Sequence, residues 1–178
     1  MEGDRECLLE AFEQAQRALA DGTYPIGAVV VDDEGRIMGR GRNRVFSTGD
    51  TTAHAEVDAL RNARPIRIDT AGRRFLTPRH TLYTTTEPCL LCAGAIVMSN
   101  IHRVVWAADD PANGAVRLLQ SLPVLPAWDH LGQKIRRLVV GDESFPDLAA
   151  LQIDLMRRWN AARGLPGVVW SICGGEQG

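Results

Sequence analysis

The chain has 178 residues, and its content of 45% hydrophobic and 24% charged residues is that of a folded globular protein, which excludes an intrinsically disordered one. Its formal net charge of −2 lacks the basic excess typical of proteins that grip long stretches of phosphate, although clustered charge is compatible with this sum. No apolar run reaches the length of a membrane span and the N-terminus has no signal-peptide pattern, so we expect a cytoplasmic protein.

The first part of the chain has the pattern of one helix followed by a β-hairpin. Apolar residues recur at helical spacing over residues 4–20, which predicts an amphipathic helix. Residues 26–31 form an almost continuous apolar, β-branched run, which predicts a buried strand. An acidic turn follows, so we expect residues 36–41 to pair back as a second strand. Residues 42–52 are polar and predicted to be irregular.

The middle of the chain predicts two helices and a strand. Thr52 is a candidate N-cap for a helix over residues 53–63. Residues 64–80 contain proline, glycine and several arginines with little periodicity, and we interpret them as a surface loop. A strand over residues 81–86 is followed by a proline, which favours the start of a helix over residues 89–99.

The last part of the chain predicts two more strands and a long helix. Residues 103–108 are apolar and β-branched, which is typical of a strand. Residues 109–134 predict a loop that contains one short helix at 116–121. Residues 135–140 predict the last strand, and an amphipathic helix opens near Pro146.

This order of elements predicts an α/β fold. A hairpin followed by alternating helices and strands gives a mixed sheet with helices on both faces, a three-layer α/β/α sandwich. The length fits one domain over residues 1–178, with its core at about 4–162. The tail at 163–178 is apolar enough to pack against the domain.

Three potential metal ligands stand out, namely His54, Cys89 and Cys92. The two cysteines lie three residues apart at the start of a predicted helix, so one face of that helix brings both within reach of one ion. One imidazole and two thiolates leave the fourth tetrahedral position of a zinc ion for water, which is the mark of a catalytic rather than a structural site. A redox-active or merely buried cysteine pair is the alternative, but it does not explain the histidine.

Glu56 follows His54 by two residues. The two side chains leave the helix start in different directions, so Glu56 need not bind the metal and can reach the water bound there. A carboxylate in that position can accept the proton of the water and pass it on. The alternative is a solvated residue of the first helical turn, stabilised by the helix dipole.

His-x-Glu and Pro-Cys-x-x-Cys together match the signature of zinc-dependent nucleobase deaminases. With the surrounding segments, the chain resembles the cytidine deaminase-like superfamily, and within it the branch of tRNA adenosine deaminases, bacterial guanine deaminases and fungal cytosine deaminase. The segments that carry the resemblance are 25–31, 43–44, 52–56 and 86–96. The resemblance covers residues 8 to about 115 well and the remainder loosely.

The resemblance implies an α/β/α sandwich around a five-stranded sheet and a homodimer with active sites near the interface. It also implies zinc-dependent hydrolytic deamination, in which an exocyclic amine is replaced by a carbonyl and ammonia is released. In that reaction Glu56 would be the proton shuttle. The tail at 163–178 would then pack near the active site.

Six residues are candidate substrate contacts: Asn43, Ile26, Ala28, Ala55, Trp106 and Asp110. The resemblance assigns a hydrogen bond with the base to Asn43, backbone contacts to Ala55, and the floor of the base pocket to the strand from Ile26 to Ala28. Asp110 is included because its loop borders the expected pocket. A turn is the alternative for Asn43 and for Asp110, and a core position is the alternative for Trp106.

Three functions remain open on the sequence alone. We favour a small-molecule nucleobase or nucleoside as the substrate, because the acidic balance, the 64–80 loop and the apolar tail point away from RNA. The alternative is a tRNA wobble adenosine-to-inosine deaminase, since residues 111–115 resemble a loop of those enzymes and basic residues lie on the final helix. A non-catalytic zinc-binding module belongs to a different class, and Glu56 argues against it.

Overall fold

A computed structural model of the protein describes residues 2–63, 68–69, 71–75, 79–122 and 129–165. In chain order its elements are α1 (Glu2–Ala20), β1 (Gly27–Val31), β2 (Ile37–Arg42), α2 (Val45–Thr48), α3 (Ala55–Asn62), β3 (Ile68–Asp69), β4 (Arg74–Phe75), β5 (Thr81–Thr86), α4 (Leu90–Met98), β6 (Arg103–Ala108), α5 (Val116–Ser121), α6 (Asp129–Arg137), β7 (Val139–Val140) and α7 (Pro146–Ala161). Most of the tail, including Trp170, lies outside the described residues. Within the described part, no helix is long and apolar enough to cross a membrane.

The main sheet is mixed and has five strands, as predicted. Its strand order is β2-β1-β5-β6-β7. Strand β1 runs antiparallel to both β2 and β5, whereas β5, β6 and β7 are parallel to one another. Because β5 and β6 are parallel, their carboxyl ends meet at one edge of the sheet. The loops after both strands therefore open at the same edge, which is where ligands bind in open α/β sheets.

The side chains of the sheet alternate between two hydrophobic clusters, which confirms the three-layer arrangement. On one face, Val29 and Val105 pack with Leu8 and Phe12 of α1 and with Leu155 of α7. The other face has its own buried cluster, in which strand residues pack with α3, α4 and α5; its members include Val30, Leu82, Val104, Ala59, Ile96 and Val116. This alternation is the period-two pattern of a strand that is buried on both faces.

Glycines let helix α3 lie directly on β2. A Cβ atom at Gly41 would overlap the backbone of Ala55 and Ala59, and one at Gly39 would lie 2.5 Å from the carbonyl oxygen of Ala59. No side chain larger than hydrogen fits at such a close approach of two backbones. The glycines of β2 therefore fix how far the first turn of α3 stands from the sheet.

Two predictions before residue 60 are wrong, namely the irregular segment at 42–52 and the N-cap of α3. Residues 42–52, predicted to be irregular, include the short helix α2. The N-cap of α3 is His54 rather than Thr52, because the backbone stays extended through His54. The hydroxyl of Thr52 instead donates a hydrogen bond to Asp50 Oδ1 at 2.7 Å.

The predicted strand at 135–140 is also wrong in most of its length. Helix α6 extends to Arg137 and leaves only the two residues of β7 in the sheet. The helical side chains Leu131 and Ile135 are one turn apart and pack against the core, so burial of that stripe favours the helix. The 64–80 segment, predicted as a loop, contains the short antiparallel pair β3 and β4.

A buried ionic network ties the first turn of α1 to the sheet. The carboxylate of Asp4 accepts hydrogen bonds from Arg103 at 2.8 and 2.6 Å and from the Tyr83 hydroxyl at 2.7 Å. Asp4 is only 3% exposed. Burial alone would raise the pKa of Asp4, but the bonds from Arg103 and Tyr83 outweigh it and lower this pKa. The charged carboxylate is thus favoured in the folded state.

We predict that Asp4→Asn lowers the free energy of unfolding by about 3 kcal/mol at pH 7, because it leaves Arg103 with no carboxylate partner. Since the pKa of Asp4 is lower in the folded than in the unfolded chain, its contribution is present above pH 4 or so and is lost as the pH falls further. Urea unfolding of both proteins across this range measures the difference. Arg5→Gln, which removes an exposed ion pair with Asp147, is the control and should leave the free energy of unfolding nearly unchanged. A difference between wild type and Asp4→Asn that stays constant with pH would contradict this assignment.

Candidate active site

The site forms where the N-termini of two helices meet at the carboxyl edge of the sheet. His54 is the N-cap of α3 and Cys89 is the N-cap of α4, and both have extended backbones. Cys92 lies on the first turn of α4 and is fully buried. The start of a helix favours negative charge, so Cys89, at the N-cap of α4, lies where a thiolate is stabilised.

The three candidate ligands converge as predicted. The His54 Nδ1 atom lies 3.5 Å from Cys89 Sγ and 3.4 Å from Cys92 Sγ. All three ligand atoms lie within 4.8 Å of one another, and no fourth His, Cys, Asp or Glu joins this group in the described residues. In a tetrahedral zinc site, bonds of about 2.3 Å to sulfur and about 2.0 Å to nitrogen place these ligand atoms about 3.5 Å apart. The observed spacing and the donor types therefore fit zinc with one open position.

The two sulfur atoms share one negative charge in this arrangement. A hydrogen bond from Cys92 lowers the pKa of Cys89 to about 4, assisted by the neighbouring His54. The pKa of Cys92 is raised by the same hydrogen bond and by burial. Cys89 is therefore the more readily ionised of the two cysteines, and each would bind a metal as its thiolate.

Glu56 lies beside this group and is 3% exposed. Its Oε2 lies 3.2 Å from Cys92 Sγ, and its Oε1 accepts a hydrogen bond from Thr84 Oγ1 at 3.3 Å. Burial raises the pKa of Glu56, because the charged carboxylate is poorly solvated there. A carboxyl group in this environment binds a proton more tightly than one exposed to water does.

An open cavity of about 570 Å³ reaches from this group to the surface. Of the predicted substrate contacts, Ile26, Asn43 and Asp110 line it. Ala28, Ala55 and Trp106 do not; they are buried in the cluster between the sheet and α3 and α4. The cavity is thus bordered by the loops before β1 and after β2, β5 and β6.

Asn43 is held rigidly at the cavity wall. Its Oδ1 accepts hydrogen bonds from Thr23 Oγ1 at 2.7 Å and from the Val45 N–H at 3.1 Å. Because both bonds use the oxygen, the amide nitrogen is the group that Asn43 can offer to a ligand. Asp110 Oδ1 accepts the backbone N–H groups of Ala112 and Asn113, so its turn-forming role is real and orders the cavity rim.

Eight further residues line the cavity and were not among the predicted contacts: Tyr24, Val45, Thr51, Thr86, Glu87, Leu90, Leu91 and Asn113. Thr86 and Glu87 follow the carboxyl end of β5, and that position was the available signal. The carboxylate of Glu87 lies against Gly114, where a Cβ atom would overlap it. Gly114 in turn forms a β-bridge with Cys89, which brings the loop after β6 against the metal ligands.

The loop after β6 is also fixed from its outer side. Arg117 donates to Asp109 Oδ1 at 2.8 Å, and its guanidinium lies 5.1 Å from the centre of the Trp106 ring. The Trp106 Nε1–H donates to the same Asp109 oxygen at 2.8 Å. Trp106 therefore positions the loop that carries Asp110, and its contact with a substrate stays a prediction.

Comparison with known proteins places this geometry in a family. The sequence profile described as the cytidine and deoxycytidylate deaminase zinc-binding region matches residues 1–108. The chain is 34% identical over 166 residues to the tRNA-specific adenosine deaminase of Bacillus subtilis, a match that covers 92% of this chain and 97% of that protein. It is 46% identical over 116 residues to the tRNA-specific adenosine deaminase of Haemophilus influenzae, covering 65% of this chain. That match spans 64% of the relative's own length.

A solved structure from a study of A-to-I editing by tRNA:A34 deaminases at the wobble position of transfer RNA has the same fold. Its TM-score is 0.64 at 30% identity, and the alignment covers 85% of this chain and 99% of that one. The family's zinc-binding region includes the segment that carries His54, Cys89 and Cys92. The chain therefore belongs to the cytidine and deoxycytidylate deaminase family of zinc-dependent hydrolytic deaminases.

Proposed function

We propose that this protein deaminates an adenosine in tRNA, at the wobble position of the anticodon. The observation that carries the chemistry is the buried carboxyl group of Glu56 beside three convergent zinc ligands at the base of an open cavity. The substrate is supported by the relatives from two bacteria that are named as tRNA-specific adenosine deaminases. The small-molecule substrate favoured by the sequence analysis has less support, because both of these relatives, one of them matched over 92% of this chain, are named as acting on tRNA.

His54, Cys89 and Cys92 would hold the zinc ion. A bound zinc ion lowers the pKa of a water molecule and so supplies a hydrolytic nucleophile at neutral pH. The overall reaction adds water to the adenine ring and releases ammonia, which leaves inosine. The remaining steps are proton transfers, and they fall to the side chain of Glu56.

Glu56 can carry each proton from the attacking water to the substrate. Its carboxylate accepts one proton from the water and donates it to a ring nitrogen, which makes the ring carbon more electrophilic. It then accepts the second proton and delivers it to the departing amine, which leaves as ammonia. The raised pKa of Glu56 suits this role, since a group that stays strongly ionised would be a poor proton donor.

The open cavity suits a base that is presented by a larger molecule. The volume of about 570 Å³ is much larger than a purine ring, and the cavity is open to the surface. A base turned out of an RNA loop could enter it while its ribose and phosphates remain at the mouth. Asn43 and the edge of Ile26 lie on the wall that such a base would face.

The catalytic assignment predicts that Glu56→Gln lowers kcat at least about a hundredfold while zinc stays bound, because the amide keeps the shape but cannot shuttle protons. Cys89→Ala should lose zinc and activity together and should be less stable, since metal binding is coupled to folding. Zinc content by atomic absorption and ammonia release measure both effects. Cys7→Ala, which changes a cysteine remote from the site, is the matched control and should retain both. A Glu56→Gln protein with wild-type turnover would refute the proton-shuttle role.

The substrate assignment predicts that an unmodified tRNA with adenosine at the wobble position is converted to the inosine form. The same tRNA with guanosine at that position is the matched control and should release no ammonia. Adenine, guanine, cytosine and their nucleosides should react at least about a hundredfold more slowly, because they lack the binding contributed by the rest of the RNA. Turnover confined to a free base or nucleoside would overturn the tRNA assignment and restore the small-molecule one.

We also propose a homodimer that uses the outer surfaces of α4 and α5. Large apolar side chains are exposed there, with Met98 at 57% and Leu118 at 55% exposure. Leu91 and Met98 are two turns apart, so they share one face of α4. Leu91 also lines the cavity, so a partner on this surface would stand next to the active site.

The proposed dimer predicts that a charged side chain introduced on this surface dissociates the protein into monomers. Met98→Glu should convert the protein from twice the chain mass to the mass of one chain in light scattering after size exclusion, because it buries an unpaired carboxylate. Leu9→Glu, which charges an exposed leucine on α1 at the opposite face of the sheet, is the matched control. A wild-type protein of single-chain mass would contradict the proposal.

A further inference from the structure

Three aromatic rings from distant parts of the chain form a compact cluster at one end of α7. Tyr24 precedes β1, Phe46 lies in α2, and Trp159 lies in the last turn of α7. The centre of the Tyr24 ring is 4.3 Å from that of Trp159 and 5.3 Å from that of Phe46, and the Phe46 and Trp159 centres are 6.0 Å apart. With Arg163, these residues are called the aromatic patch below.

The aromatic patch is continuous with the active-site cavity. Tyr24 belongs to both, because it lines the cavity and contacts the other two rings. Val45, the residue before Phe46, also lines the cavity. An RNA strand with one base in the cavity could therefore run over the aromatic patch where the strand leaves the cavity mouth.

Core packing explains only part of the aromatic patch. Trp159 is 2% exposed and contributes to the packing of α7, whereas Phe46 is 51% exposed. A phenyl ring that leaves half of its surface in water loses much of the hydrophobic free energy that burial would provide. Phe46 thus presents an apolar surface to solvent directly beside the cavity.

A positive charge lies beside this exposed ring. The Arg163 guanidinium lies 4.3 Å from the centre of the Trp159 ring and 5.3 Å from that of Phe46. Arg157 and Arg158 are exposed on the same end of α7. Within the described ranges, no ion pair joins any of these three arginines to a carboxylate. The chain as a whole is slightly acidic, so this is a local concentration of unpaired cations.

We propose that the aromatic patch binds an unpaired nucleotide adjacent to the target adenosine, with its base on Phe46 and its phosphate near Arg163. The inference rests on the proposed RNA substrate and names the part of it that this surface recognises. An exposed ring combined with arginines is the chemistry that binds single-stranded nucleic acid, because every base has a face that stacks and every linkage carries a phosphate. A free nucleobase in the cavity would not reach the patch.

Steady-state kinetics on an RNA stem-loop with the target adenosine in its loop tests the role of Phe46. Phe46→Ala should raise KM roughly tenfold or more and leave kcat within about twofold, because stacking on a neighbouring base contributes to binding and not to the chemistry. Phe46→Trp should restore KM, and Phe46→Leu, which is apolar but offers no aromatic ring, should not. A Phe46→Ala protein with unchanged KM overturns the proposal.

A base-deletion cycle then identifies the nucleotide. Stem-loops with an abasic residue on the 5′ or the 3′ side of the target adenosine are compared with the intact loop, in wild type and in Phe46→Ala. At one of these positions, removing the base should weaken binding to the wild-type protein as much as Phe46→Ala weakens binding of the intact loop. Combining the abasic residue with Phe46→Ala should then cause no additional loss of affinity. Fully additive losses at both positions overturn the assignment.

Equilibrium binding gives a readout that needs no turnover. Fluorescence anisotropy of the labelled stem-loop with the Glu56→Gln protein should show that Arg163→Gln reduces the salt dependence of log Kd by about one phosphate contact. Arg137→Gln, at the opposite end of the sheet, is the matched control and should leave the slope unchanged. If the salt dependence of log Kd is the same for the Glu56→Gln protein alone and with either arginine substitution, Arg163 does not contact a phosphate.

These experiments separate this inference from the proposed function. A wild-type protein that converts RNA while Phe46→Ala does so with the same KM refutes the patch alone. A wild-type protein that neither binds nor converts RNA refutes the proposed function and this inference with it. A thermal midpoint that falls in Phe46→Ala, with KM unchanged, would show that the patch packs against the protein itself and would also refute the inference.

Discussion

The structure depends on the meeting of two helix N-termini at one edge of the sheet. The imidazole of His54 lies about 3.5 Å from each of the two sulfur atoms. Bringing these groups together costs free energy, because each of them loses contact with water. The unpaired N–H groups at the starts of α3 and α4 stabilise negative charge, so the thiolate of Cys89 is favoured there. The same placement leaves the corner of the ligand group that faces the cavity free for a reactant.

The sheet enforces this meeting through close contacts rather than through many interactions. Glycines of β2 allow the backbone of α3 to lie on the strand, which fixes His54 and Glu56 at the carboxyl edge. On the other side, the bridge between Cys89 and Gly114 holds the loop after β6 against α4. The first constraint is steric and the second is a backbone bridge, and both shape the site without a ligand.

The site has two parts with different physical character. The deep part is small and buried, and it holds the carboxyl group of Glu56 beside the three candidate metal ligands. The mouth is open, and the half-exposed ring of Phe46 and the guanidinium of Arg163 lie beside it.

Local sequence patterns were sufficient to predict most of the helices and strands and the three metal ligands, because each of these features depends on residues within a short segment. The strands at 81–86 and 103–108 and the ligands His54, Cys89 and Cys92 follow from runs and spacings within short segments. The sequence failed for the strand at 135–140, where burial of a helical stripe outweighed β-branched composition. Only the tertiary structure decided which residues line the cavity and that Tyr24, Phe46 and Trp159 meet, because those contacts join segments that are far apart in the chain and depend on how the helices pack on the sheet.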